Sequence, residues 1–255
     1  MKMTKLASSL LVAGTFALAA GGAHAYTVDG VTWNENDPVD FFAQSSLWEN
    51  VALNAGDEVS GYGVFSFINS DDNLGADAFY PSGELTYKFG GYTLTNTVTG
   101  APGEDLFFTG GWVEVYADAS QDFDPADPAS AGNGTLWLSL VGADGDGDGY
   151  TLVASTTAAS SVGVGIAGQG YAYLDVTGGS AATYLDTNSQ VGGTDFLYTS
   201  SFSPLANPIT QDGVTYTHGG TAEISGASVP EPATLALLGL GLVGLGLSRR
   251  TKKAA

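Results

Sequence analysis

Between Tyr26 and Val229 short segments alternate apolar and polar residues with a period of two. That pattern leaves β-strands as the way to bury one side of each segment. Leu85-Thr86-Tyr87-Lys88-Phe89 puts Leu85, Tyr87 and Phe89 on one face. Leu136-Trp137-Leu138-Ser139-Leu140 groups three leucines in the same way, and Val214-Thr215-Tyr216-Thr217 is a third case. Phe65 to Ile68, Trp112 to Tyr116 and Phe196 to Thr199 also read as strands. Gly-, Asn-, Asp- and Pro-rich turns separate them, at 69–73, 81–83, 100–103, 178–179 and 192–193. Asp37-Pro38 offers a helix start for the stretch Pro38 to Asn50. Many short strands joined by such turns predict an all-β body, a β-sandwich or jelly roll, over residues 26–218. Residues 219–228 read as a linker, and Asp118 to Gly134 as an exposed loop.

Charge narrows the partners. Residues 26–229 carry 26 acidic side chains against Lys88 alone, a formal charge of −25. Such a surface repels nucleic acid phosphates and anionic lipid, attracts divalent cations and favours solubility. The absence of cysteine removes thiol catalysis and thiolate metal sites, and a core of this size needs no disulfides.

The other six basic residues lie at the ends. Lys2 and Lys5 precede an apolar stretch from Leu6 to Ala20, and Ala23-His24-Ala25 fits the small-x-small cleavage rule. Residues 1–25 therefore read as a signal peptide with an apolar helix, removed after Ala25 to leave Tyr26 first. At the other end, Ala233 to Leu247 is an apolar run of 15 residues followed by Arg249, Arg250, Lys252 and Lys253. As a helix it would reach ~22 Å, a marginal span of a ~30 Å hydrocarbon core. The basic end would stay on the cytoplasmic side and the body outside.

Pro230-Glu231-Pro232, the glycine- and leucine-rich run and Arg249-Arg250 together resemble a PEP-CTERM sorting signal over residues 229–255. The resemblance implies recognition by an exosortase, a membrane cysteine transpeptidase or protease, in a Gram-negative bacterium that secretes exopolysaccharide. It also implies transient membrane contact through 233–247, processing near Pro230-Glu231-Pro232 and a final place at the cell surface or outside it. Gly134 to Gly142, Tyr173 to Gly179, Asp186-Thr187-Asn188 and Tyr198 to Phe202 are similar in style to flocculation-associated PEP-CTERM proteins. That resemblance implies cell aggregation within exopolysaccharide.

Several constellations bear on chemistry. Asp144, Asp146 and Asp148, with Gly149 at the sixth position, have the spacing of the first half of a calcium loop, and Tyr150 would offer its carbonyl. The twelfth position is Ser155, where a bidentate Glu is needed, so a complete EF-hand is excluded. The alternative is a flexible Asp-Gly hairpin tip between 136–141 and 150–153. Asp122, Asp124 and Asp127 lie among prolines and read as solvated loop. Gly163 to Gly168 matches GxGxxG, but the residues after it look like strand where a nucleotide fold needs a helix. His218 is the one histidine left after signal removal and ends a strand pattern, with no nucleophile elbow in the chain. Trp33, Trp48, Trp112 and Trp137 suit either a core or sugar-stacking platforms. Asn133-Gly134-Thr135 fits the glycosylation pattern.

No catalytic constellation stands out. The expectation is an exported, non-enzymatic matrix or surface protein with exosortase and exopolysaccharide as partners, no nucleic acid, and calcium as its one candidate cofactor. A secreted polysaccharide-active enzyme using a carboxylate pair and a surface-layer component are the alternatives.

Overall fold

The computed structural model describes residues 25–34, 40–69, 79–159 and 165–229. Residues 1–24 of the segment proposed as signal peptide, Ala23 included, and the sorting signal from Pro230 through Glu231, Pro232, Arg249 and Arg250 lie outside them, whereas Ala25 is described and pairs with Asn34. Among the described residues no helix is long and apolar enough to cross a membrane.

The body is all-β and sandwich-like, as the alternation requires, and its facing walls belong to one antiparallel sheet. In chain order the strands are β1 (Ala25–Val28), β2 (Val31–Asn34), β3 (Phe41–Glu49), β4 (Glu58–Ile68), β5 (Glu84–Leu94) and β6 (Asp105–Asp118). They continue as β7 (Thr135–Ala143), β8 (Leu152–Ala159), β9 (Ile166–Gly178), β10 (Phe196–Gln211) and β11 (Val214–Gly226). Neighbours in sequence pair from β3 through β6, and β11 returns to pair with β3. β10 pairs with both β9 and β11, so the sheet closes on itself. Closure leaves no long edge open to another chain.

β7 and β8 share one position in this ring. Along β6, Asp105–Phe108 pairs with β8 and Trp112–Ala117 pairs with β7, both antiparallel. β9 pairs with the same two strands in the same way. The pair is thus one long strand interrupted by residues 144–151. The Asp-Gly loop is an excursion from that strand and not the hairpin tip considered above. Asp-Gly turns hairpins elsewhere: Asp29-Gly30 joins β1 to β2, and Asp212-Gly213 joins β10 to β11. Both residues of each pair have positive φ, as a type I′ turn requires.

Two further expectations fail. Asp37-Pro38, the proposed helix start, lies outside the described residues, and Phe41–Glu49 of the stretch forms strand β3, because its period-two pattern buries Phe41, Ala43, Ser45 and Leu47 on the inner face. Residues 219–226 are not a linker: they are the second half of β11, paired with β3 and β10. Their glycines look like linker composition but serve close packing, since a Cβ on Gly220 would lie 1.8 Å from the Ser201 carbonyl oxygen. The three-leucine face of β7 is also modified. A bulge opposite Val115 and Tyr116 turns Trp137 into the core and leaves Leu136 exposed.

The β1–β2 hairpin lies across one end of the ring. Trp33 is fully buried there and meets Trp137 edge-on at 5.8 Å and Phe41 at 5.9 Å. The Trp137 indole donates to the Val28 carbonyl at 3.1 Å. On the outer wall, residues expected as an exposed loop cover part of the sheet. Phe123 packs on Trp48 and Tyr62, the Tyr62 hydroxyl donates to the Pro125 carbonyl, and Ala131 is buried above Thr86.

Ring size on the inner face depends on glycine. A Cβ on Gly63 would sit 2.2 Å from the Ser46 carbonyl oxygen and 2.5 Å from the Tyr87 ring. Gly63→Ala is therefore expected to destabilise the body by about 1–3 kcal/mol through overpacking. Thermal unfolding of the isolated body checks this, and an unchanged Tm contradicts the packing described.

Candidate functional site

Three places in the body gather polar chemistry: the interior beside Glu49, the loop 144–150, and a groove on the outer wall.

Glu49 continues the inner face of β3 and reaches two small cavities of about 40 Å³ each, which it shares with Leu152 and Ser200. Tyr87, Phe89, Tyr92 and Tyr198 line the first. Cavities of that size have room for a few waters and none for a sugar ring. Burial pushes the Glu49 carboxyl up to about 8. Lys88 is no partner, since it lies on the outward face of β5 beside Gly132. Tyr87 donates to the Ser46 carbonyl at 3.2 Å and shares a 3.1 Å hydrogen bond with Ser45 Oγ. Burial, with Glu49 nearby, also holds the Tyr87 and Tyr198 hydroxyls well above the ordinary phenol range.

His218 stands opposite Glu49 in the β11–β3 register and is fully buried. A carbonyl only accepts, so its Nε2 carries the hydrogen donated to the Ile166 carbonyl at 3.0 Å. Nδ1 then accepts from the Thr217 hydroxyl at 2.8 Å. Burial lowers the His218 pKa. Both ring nitrogens are committed and the ring is neutral, so His218 is a structural polar group. Alternation through Phe41, Ala43, Ser45 and Leu47 carries the same phase to Glu49 and is the sequence signal that places it inside.

The second place is the loop. Asp144, Asp146 and Asp148 are exposed, and one carboxylate oxygen from each lies within 4.8 Å of the others. Asp144 accepts from the amides of Gly147 and Gly149 at 2.8 and 3.0 Å, and Asp148 accepts from the Tyr150 amide at 2.8 Å. Tyr150 is pinned by stacking on Phe107 at 4.7 Å. Ser155, the twelfth position, is in β8 and donates to Asp105, away from the loop. Of the other acidic loop, Asp122 joins Glu84 and Asp118 in a second three-carboxylate group. Asp124 and Asp127 instead hold turns, accepting from the Ala126 and Ala129 amides.

The groove, about 620 Å³, crosses β8, β9, β10 and β11. Ser155, Gln169, Tyr171, Thr199, Thr221 and Glu223 line it. Tyr171 is among the exposed large side chains of the body, and Glu223 accepts from the Gln44 amide at 3.0 Å. Hydroxyls, an amide, one carboxylate and one aromatic ring match the hydrogen-bonding and stacking needs of a neutral polyhydroxylated ligand. Glycoside hydrolysis needs two carboxyl groups about the scissile bond, and this lining supplies Glu223 alone.

The remaining candidates fall into place. Trp33 and Trp137 are core, Trp48 packs under Phe123, and Trp112 is exposed beside Gly90 and Gly91. The GxGxxG run leads into strand β9 from Ile166, so its described part has no nucleotide-binding helix. Asp195, not singled out from sequence, is buried and accepts from the amides of Val176, Thr187 and Asn188 at 2.6–2.8 Å. It is a structural anchor.

Residues 228–250 match the PEP-CTERM protein-sorting motif. The chain thus carries the signal of PEP-CTERM exported proteins, which implies exosortase processing and membrane-anchored transit before surface display. No curated protein and no solved structure matches the chain.

Glu49 gives a signed pH dependence. Its carboxyl ionises near 4.5 in the unfolded chain and near 8 in the fold. The fold thus binds the proton more tightly, and stability present below pH 4.5 is lost as pH rises to 8. The slope is up to about 1.4 kcal/mol per pH unit. Glu49→Gln is expected to remove this component, so its stability advantage over the wild type grows from pH 5 to pH 8. Denaturant titrations of both proteins across that range check the sign, and a constant difference contradicts it.

Proposed function

We propose that the protein is a non-enzymatic component of the extracellular matrix or cell surface that acts in exopolysaccharide-associated aggregation of a Gram-negative bacterium. The groove carries this reading. It is open, rich in hydroxyls and free of lysine and arginine, on a body whose chain ends in a sorting signal. Such a surface suits neutral glycan and disfavours polyanions unless a divalent cation bridges them. Calcium at Asp144, Asp146 and Asp148 belongs to the same reading, as a bridge between the acidic body and acidic sugars.

The body, purified, is expected to bind the producing organism's exopolysaccharide without releasing products. Tyr171→Ala should weaken that binding roughly tenfold, equivalent to ~1.4 kcal/mol. Affinity electrophoresis combined with a reducing-sugar assay separates the outcomes. Product release favours a polysaccharide-active enzyme, and neither binding nor turnover removes the groove from the proposal. Deletion of the gene is expected to reduce flocculation.

A calorimetric calcium titration should show binding in the range of about 10⁻⁴–10⁻³ M that Asp146→Asn abolishes. Absence of heat up to millimolar calcium removes the ion from the proposal. Ordered assembly triggered by calcium points instead to a surface-layer component.

A further inference from the structure

Ser228 and Val229, the last described residues before Pro230-Glu231-Pro232, are gripped by groups from distant parts of the chain. The Tyr26 hydroxyl donates to the Val229 carbonyl at 2.9 Å. The Trp33 indole donates to Ser228 Oγ at 2.8 Å, and both side chains are buried. The Ser228 amide donates to Asp40 Oδ2 at 2.9 Å, and the Val229 amide to the Tyr184 carbonyl at 2.7 Å. The rings of Tyr26, Trp33 and Tyr184 pack on one another, with centroids 5.2–6.2 Å apart. Both amides of the dipeptide and the Val229 carbonyl are therefore committed inside the fold.

A peptidase that takes an extended peptide must pair with its backbone. Bonds flanked by these residues are closed to it while the clasp holds. We propose that the folded body sets the processing boundary: Ser228 and Val229 stay with the barrel, and the sorting enzyme cuts C-terminal to Val229. The proposal rests on the exosortase reading of residues 228–250. The C–N bond after Val229 or one of the next residues breaks. The tail leaves as an amine that takes up a proton, and the acyl carbon passes to water or to an acceptor amine. Tyr26, Trp33 and Asp40 are positioning residues in this step. Three residues separate Val229 from the apolar run at Ala233, ~10 Å at ~3.3 Å per residue. A link of that length would keep the hairpin end of the barrel near the membrane face until the cut. Tyr26 is also the residue expected first after signal removal, so both processed ends meet in one clasp.

Intact-mass and terminal-peptide analysis of the protein displayed or shed by the producing bacterium tests this. The expected species begins at Tyr26 and has a single C-terminus between Val229 and Pro232. The added mass of water or of an amine distinguishes release from anchoring. A C-terminus at Ser228 or earlier overturns the boundary while leaving exosortase processing intact. A mature chain that keeps Arg249-Arg250 sinks the exosortase reading and this proposal with it. Tyr26→Phe keeps the ring and removes the hydrogen bond to the Val229 carbonyl. It should leave Tm within a degree or two, speed exchange of the Val229 amide about fivefold and add C-termini upstream of Val229. Faster exchange with an unchanged C-terminus overturns the clasp as the determinant.

Discussion

Pairing of β10 along both of its edges is the constraint on which the rest depends. Phe196–Phe202 pairs with β9 on one side, and the same residues pair with β11 on the other. Without the second pairing the sheet would be an open meander with two exposed edges. With it, every inner residue faces another wall, and the interior becomes a space of fixed width. Rings of about eight strands leave an interior that side chains just fill or that holds one small ligand. This one is largely filled by aromatic and aliphatic groups, and among the described residues two small cavities border Glu49.

The charge distribution follows from the same closure. With Lys88 the single cation of residues 26–229, an inward carboxylate has no positive side chain to meet. An isolated buried charge is far more expensive than a neutral carboxyl, so Glu49 keeps its proton into the neutral range. Most other acidic groups escape this by standing outward, where loops use them as acceptors for backbone amides, as Asp57 does for Leu53 and Asn54. That use holds the Asp57 carboxyl below its ordinary value. The acidity of the body is thus both a surface property and a means of building turns without lysine or arginine.

The strands and many turns were legible because period-two alternation is a local signal. Closure was not, since nothing in Phe196 to Gln211 announces that both edges of that strand are taken. The long strand shared by β7 and β8 was hidden for a related reason: an Asp-Gly run has the same composition in a hairpin tip and in an excursion. Residues 219–226 were misread because small residues mark both linkers and tightly packed strands, and only the position of Ser201 against Gly220 separates the two. The three aspartates of the candidate calcium loop do converge, as their spacing implied, whereas the groove joins residues from Ser155 to Glu223 that no linear pattern connects. Glu49 was within reach of sequence reasoning, given the phase of β3 and the knowledge that this strand is buried on one side.

The clasp at Ser228 and Val229 sits at the far end of this hierarchy. Its hydrogen bonds to Trp33 and Tyr26 join residues 195 and 203 positions apart. Contacts at such separation carry the largest loop-closure penalty if formed alone. Here the penalty has already been met by the ring, because β11 delivers residue 226 to the start of β3, beside the hairpin that carries Tyr26 and Trp33. The clasp therefore depends on a completed barrel, and a chain whose strands have not closed presents residues 228–229 as free peptide. The state of the last two body residues thereby reports, at the sorting motif itself, whether the domain in front of it has folded.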